Sequence, residues 1–412
     1  MKRILAYTAL GISAVLLLIA LNTSQRRTAA AELALAESTI AAAAQAAGEM
    51  EALSLSMDKL LVTTSLRQTA RLLAQISLHA DRVQVSLSGL PDTQGQLAAV
   101  LGFLSRLSQL CQSALADLAE GIPIDVATRQ TLTGMQPGLR LLHAEISLAG
   151  NEIMTGADAD ALPASQVTKP PTAMELNRYQ ALPSRQIGSG EAMQIAKAFV
   201  GEDKVLSVEH APDTAGALPA FGITIQTADL QLNLEITRQG GKVLLMAPET
   251  AAFVPRYSPA QCAEAALAFL DSRGFAAMEA PYYQVYDGLC VLTCVNVQNG
   301  VLIWPDRVMV QVRMDTAEVV GLEARSYWKN HIPRRLQTPL LTQAEAQASL
   351  SPEVTTEDAR LCLLPYQEQE RLCWQFTITR DEETYLSYID AITGSELLLE
   401  KLMQLESGQV AA

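Results

Sequence analysis

The chain has 412 residues and a formal net charge of −14, with 30 Lys and Arg against 44 Asp and Glu. At about 150 residues per domain it is long enough for two to four domains, and without a basic face it is excluded as a nucleic-acid binder. Apolar residues reach 49% while aromatics stay at 5%, which points to Ala- and Leu-rich helix in at least part of the chain.

Charge and aromatic residues are unevenly placed. Residues 1–155 carry 11 basic against 12 acidic side chains, and residues 156–412 carry 19 against 32. Of the aromatics, only Tyr7 and Phe103 precede residue 156. Two differently built halves meet there.

At the amino end, Lys2-Arg3 precede an uncharged run at 4–21. As a helix it spans roughly 27 Å, close to the hydrocarbon thickness of about 30 Å. The rival reading is a cleaved signal peptide, whose apolar region is shorter, about 7–15 residues. Arg26-Arg27 stand where a small, neutral cleavage region belongs. Residues 1–27 are therefore expected to form an uncleaved membrane anchor, with the rest of the chain outside the cytoplasm.

Residues 28–155 are expected to form an antiparallel helical domain. Leu53, Leu60 and Leu61 recur near helical spacing, as do Leu72, Leu73 and Ile76, and Leu97, Val100, Leu101, Leu104 and Leu107. Breaks at Gly89-Leu90-Pro91, at Gly121-Ile122-Pro123 and at 134–138, around Pro137, divide the stretch into about four helices. Cys111 falls on an apolar helix face, and His79 and His143 lack Cys or Glu at ligand spacing. Residues 156–188, with Pro163, Pro170, Pro171 and Pro183, read as a proline-stiffened linker.

From 189 to 405 a helix-plus-strands pattern recurs. Helices open at Ser189, Ser258 and Thr342, spaced 69 and 84 residues apart. Ser258 and Thr342 are suited to capping, with Pro259 in the first turn and Glu345 completing a capping box. Alternating strands follow: 221–225 and 230–236 in the first unit; 291–297, 308–314 and 319–324 in the second; 361–364, 372–378 and 385–389 in the third. Asn299-Gly300 is a hairpin signal. The expected architecture is α+β: an N-terminal transmembrane helix and helical region, then helix-plus-antiparallel-meander units at 189–254, 255–335 and 336–405.

A short helix, a meander and a closing turn of the form Asp-x-x-Thr-Gly, as in Asp390, Thr393 and Gly394, resembles the PepSY domain. In the second unit the turn Asp315-Thr316-Ala317-Glu318 reads as shortened, and the first unit offers only Gly240-Gly241. The anchor, helical region and tandem units together resemble the YpeB germination protein family of spore-forming Firmicutes. The stretch from Trp304-Pro305-Asp306 through Tyr327, Asn330-His331, Arg334 and Leu341-Thr342 is the most similar to that family. The resemblance implies a non-catalytic role: localising, stabilising and restraining a SleB-type spore cortex-lytic enzyme until germination. It also implies residence in the forespore or spore inner membrane, facing the cortex, with peptidoglycan as a further contact. The alternative is an extracytoplasmic sensor or a protease-inhibitor-like PepSY regulatory protein of the cell envelope.

The sequence offers no catalytic constellation. Gly-x-Ser-x-Gly, His-Glu-x-x-His and phosphate-loop motifs are missing, and Asp381-Glu382-Glu383 reads as a solvated hairpin tip. No cofactor-binding or metal-ligating residue is singled out. The six cysteines lie in apolar runs; Cys290 and Cys294 are about 13 Å apart along one strand face, too far to bridge. A Cys362–Cys373 hairpin bridge remains open. The basic stretch from Lys329 to Arg335 is either a solvated loop or a docking surface. With the family-like stretch, it gives the candidate partner-binding residues: Trp304, Asp306, Tyr327, Asn330, His331, Arg334 and Arg335.

Overall fold

The computed structural model describes residues 29–88, 97–154, 182–215, 218–249, 252–275, 277–367, 369–405 and 408–411. The expected anchor at 1–27 and residues 156–181 of the expected linker lie outside the described residues. Among the described residues, no helix is long and apolar enough to cross a membrane. The chain divides into a helical unit and a sheet unit.

The helical unit contains α1 (Ala29–Val62), α2 (Leu66–Ser88), α3 (Leu97–Ala119) and α4 (Val126–Met154). Helix α2 packs on α1 and on α3, whereas α4 packs on α1 and barely touches α3. The apolar residues at helical spacing meet at the centre, where Met50, Leu53, Leu73, Ile76, Leu104 and Leu107 are fully buried. Cys111 is buried with them, and burial pushes its thiol pKa up to about 12. His79 Nδ1 lies 2.6 Å from Glu49 Oε2 across α1 and α2.

One expected break is absent. Helix α4 runs through Pro137, although proline removes a backbone donor and crowds the preceding turn. Tertiary bonds bracket the site. Gln136 Nε2 and Arg140 Nη2 both donate to Asp58 Oδ1, at 2.5 and 3.0 Å, and Asp58 is buried in α1. The two flanking side chains hold the helix to its neighbour where its own ladder is interrupted.

The sheet unit is built from three repeats. The first contains α5 (Ser189–Val200), β1 (Ser207–Thr214), β2 (Ala220–Gln226), β3 (Gln231–Thr237) and β4 (Val243–Pro248). The second contains α6 (Pro259–Ser272), β5 (Met278–Tyr286), β6 (Leu289–Gln298), β7 (Val301–Arg313) and β8 (Val319–Glu323), followed by α7 (Arg325–Asn330). The third contains α8 (Gln343–Gln347), β9 (Thr355–Tyr366), β10 (Gln369–Arg380), β11 (Glu383–Asp390), β12 (Glu396–Leu405) and β13 (Gly408–Ala411). Ser258 and Thr342 each form a complete capping box, with Gln261 and Glu345 as the reciprocal partners. Asn299 and Gly300 both take positive φ between β6 and β7, as a two-residue hairpin of this hand requires. Residues 182–188 join the sheet: Ile187 N–H donates to the Arg238 carbonyl, and Leu182 is buried.

The strands form one sheet in the order β1-β2-β3-β4-β8-β7-β6-β5-β13-β12-β11-β10-β9. Strand β9 also pairs in parallel with the start of β7, through Leu302↔Cys362 and Ile303↔Leu363, so eight strands of the second and third repeats close into a ring. Trp304, Cys362, Cys373, Leu386 and Tyr388 pack together there. Cys362 and Cys373 are directly opposite across β9 and β10, and both are free, buried thiols.

The third-to-fourth-strand turn is the same in all three repeats, which corrects the sequence alignment. Thr237, Arg313 and Asp390 each donate their N–H to the carbonyl five residues on, at Lys242, Glu318 and Ser395, over 2.8, 2.8 and 2.9 Å. The residue before each acceptor is left-handed: Gly241 (φ 61°), Ala317 (φ 58°) and Gly394 (φ 73°). The ladder register shifts at the same place in each, before Ile236, Val312 and Ile389. The counterpart of Asp390 is thus Arg313, not Asp315, and the second turn is not shortened. Side chains brace the turn differently. Thr237 Oγ1 accepts from Lys242 N–H, Arg313 forks onto Asp315, and Asp390 Oδ1 accepts from the N–H groups of Ile392 and Thr393.

This register exposes a symmetry. Strands β4 and β8 pair antiparallel through Leu245↔Glu323 and Met246↔Leu322. Met246 lies three residues beyond Val243, the first paired residue of β4 after the shift; Leu322 lies three beyond Val319, its counterpart. Equivalent residues therefore face each other, and the first two repeats join about a quasi-twofold axis between Met246 and Leu322, both buried.

Candidate functional site

The charged residues singled out in the sequence converge where the second and third repeats meet. Strand β7 carries a bulge: Val295 pairs with Arg307 and Asn296 with Ile303, so Trp304-Pro305-Asp306 are extra residues on one strand. Pro305, which has no N–H to give a ladder, is accommodated in such a bulge. The bulge turns Asp306 into the interior, where it is fully buried.

Arg334 meets it there. Its Nη1 and Nη2 donate to Asp306 Oδ2 and Oδ1, each at 2.8 Å, a bidentate pair. On its other side, Nε and Nη2 donate to Glu370 of β10 at 3.0 and 2.9 Å, and Nη2 also reaches the Asn330 carbonyl. Burial works against the guanidinium charge, but the bonds to Glu370 and then Asp306 outweigh it and raise its pKa. His331 Nδ1 lies 2.7 Å from Asp306 Oδ2, and its ring stacks on Tyr327 at 4.3 Å between centroids. Gln298 fixes the backbone of Arg334 from both sides, accepting from its N–H and donating to its carbonyl.

The remaining candidates serve the same junction. Trp304 Nε1 donates to Gln375 Oε1 of β10, Gln375 donates on to the Tyr282 hydroxyl, and the Tyr282 ring stacks on the indole. Tyr327 packs edge-on against Phe275, and burial pushes its hydroxyl pKa up to about 12, with the Asp306 charge adding to the rise. Asn330 Nδ2 donates to the Ser326 carbonyl. Trp304, Asp306, Tyr327 and Asn330 are at most 5% exposed, so they are held inside the fold. Of the seven candidates, His331 is partly open and Arg335 is exposed.

This geometry resists acid–base chemistry. A general acid or base changes charge within reach of a substrate, whereas Asp306 is enclosed and both its oxygens are occupied by one guanidinium. Among the described residues, no group of three or more His, Cys, Asp and Glu side chains is arranged to hold a metal ion. Sequence reasoning missed Glu370 and Gln298, which lie 36 residues from Arg334 on either side, a separation that no local pattern spans.

Comparison with known proteins follows the same division. Residues 29–157 match the family model described as YpeB N-terminal, and residues 160–337 match that for YpeB sporulation, PepSY1 and PepSY2 domains. The sporulation protein YpeB of Bacillus subtilis strain 168 is 30% identical over 240 residues, 57% of this chain and 53% of that protein. Its namesake in Halalkalibacterium halodurans is 29% identical over 228 residues, 55% of this chain and 51% of that protein. The chain spans about half the length of the curated relatives it matches. A solved structure, the Bacillus megaterium YpeB C-terminal domain, is 24% identical with a TM-score of 0.48, covering 53% of this chain and 99% of that one.

Proposed function

The chain belongs to the YpeB sporulation protein family, and from that premise we propose that it is a non-catalytic binding protein which localises, stabilises and restrains a SleB-type cortex-lytic enzyme until germination. In this reading residues 1–27 anchor the chain in the forespore or spore inner membrane, and the sheet unit faces the cortex. The observation that carries the reading is the use made of the polar residues. Asp306, Arg334 and Glu370 are spent on one another in fixing two repeats together, and such a pairing favours a rigid scaffold with its outer surfaces available to a partner. A bound hydrolase is stabilised by mass action, by an amount that grows as the logarithm of one plus the concentration of its holder over the dissociation constant.

The test is genetic and quantitative. Deleting 189–412 in a sporulating host should deplete the hydrolase from dormant spores, as read by immunoblot of spore extracts. Normal hydrolase levels in that deletion, or hydrolysis of cortex fragments by the purified chain alone, would sink the proposal.

A further inference from the structure

The quasi-twofold axis between the first two repeats creates two equivalent grooves, and the described residues fill only one. On one side, α7 closes the groove. The Ala324 N–H donates to the Leu244 carbonyl, Trp328 Nε1 donates to the Val243 carbonyl at 3.0 Å, and Lys242 Nζ lies 4.7 Å over the indole. Phe275, just past α6, packs against the same ring. Six residues of helix thus plug the space between the β3–β4 turn and the end of α6.

The register places the counterparts on the other side. Glu318 and Val319 of the β7–β8 turn correspond to Lys242 and Val243, and Val205, five residues beyond Val200, corresponds to Phe275, five beyond Leu270. Here the structure holds an open cleft of about 330 Å³. Its walls include Val200, Leu206, Leu232, Phe269 and Val319, with Lys204 and Glu318 paired across the rim. Leu206 is 71% exposed at its mouth. The chain segment equivalent to α7 would follow β4. Among the described residues past β4, Phe253 donates its N–H to the Asp287 carbonyl at the β5–β6 turn.

We infer that this cleft is a docking site for a partner segment that presents a tryptophan, as α7 does on the opposite side. The Val319 carbonyl is the counterpart of the one that receives the Trp328 indole N–H. Lys204 stands at the rim as a cation for the ring face, in the role Lys242 has for Trp328. Asp203, Asp229 and Glu318 line the cleft with Lys204 and Arg313, which pair with Glu318 and Asp229, leaving an acidic excess at Asp203; the half of the chain that contains it has 19 basic against 32 acidic residues, so the tryptophan is flanked by lysine or arginine. The inference deepens the reading of the chain as a binding protein and rests on it for the partner's existence. The test below addresses the cleft alone, so failure of one is distinguishable from failure of the other.

The probe is a fluorescently labelled peptide copying residues 324–330, titrated into the full chain in detergent, with a photo-crosslinking group to map its seat. The expected result is saturable binding with crosslinks to Leu206 or the β7–β8 turn. Binding should weaken about tenfold when the peptide carries Trp328→Ala, as removal of an aromatic anchor does. It should weaken similarly when the protein carries Leu206→Glu, a change at an exposed position that leaves the core intact. Three outcomes would overturn the inference: no binding at millimolar peptide, binding indifferent to both substitutions, or crosslinks confined to Lys242 and Val243, where the protein's own α7 is seated.

Discussion

The two joints between repeats are made by different physics. Between the first and second, two short strands meet through equivalent apolar residues, and the ion pairs that cross, Lys204–Glu318, Arg313–Asp229 and Arg325–Glu235, each keep at least one partner more than a third exposed. Between the second and third, one guanidinium is enclosed by two carboxylates, and a parallel strand pair closes a ring. The apolar joint is tolerant of shape and leaves a cleft. The ionic joint fixes one geometry, because a buried charge released from its partner has nowhere to go.

The largest expected effect breaks the ionic joint. Arg334→Ala leaves Asp306 enclosed without its guanidinium and should cost about 3–5 kcal/mol in urea unfolding, whereas Lys204→Ala at the other joint should cost under about 1 kcal/mol. Equal costs would show that the two joints do not differ in kind. Met246→Ala, at the quasi-twofold axis, should cost about 2–5 kcal/mol through the cavity it opens. The pair Met246→Leu with Leu322→Met exchanges equivalent residues at conserved volume and should keep most of the stability, as differential calorimetry would read.

Acid sharpens the contrast. Burial opposes the charge of Asp390, but the Thr393 N–H, Arg371 and the Ile392 N–H outweigh it and hold its pKa below the usual carboxylate value. The hydrogen bonds and charge of Arg313 do the same for Asp315, against a smaller opposing effect of burial. A group with a lowered folded pKa contributes stability that is complete above the unfolded value, about 4, and is lost as pH falls through the folded one. The urea midpoint should therefore fall on acidification below about pH 4, and Asp390→Asn should flatten that fall. The smallest effect concerns the turn of the second repeat. Ala317 holds a left-handed backbone that glycine adopts without strain, so Ala317→Gly should stabilise by about 1 kcal/mol.

What the sequence made legible was local. Ser258-Pro259 and Thr342 with Glu345 announced their helices because a cap is decided within four residues, and Asn299-Gly300 announced its hairpin for the same reason. Strands β1 and β5 were not legible. Pro212 and Pro281 interrupt them, and their half-buried faces carry no clean alternation. Pro137 misled because its helix is held by Asp58, more than seventy residues earlier. The basic stretch at 329–335 looked like surface because its carboxylate partners are distant in sequence: Asp306 is 28 residues before Arg334 and Glu370 is 36 after it. The three turns were misaligned because the shared feature is a backbone geometry that Thr237, Arg313 and Asp390 support with unrelated side chains.

Contact between like positions across an axis is the signature of an isologous homodimer. The first two repeats reproduce that arrangement within a single polypeptide, and covalent linkage removes the obligation to stay identical. Two separate copies would have to plug both pockets or neither. A fused pair can seal one permanently and keep its twin for a visitor.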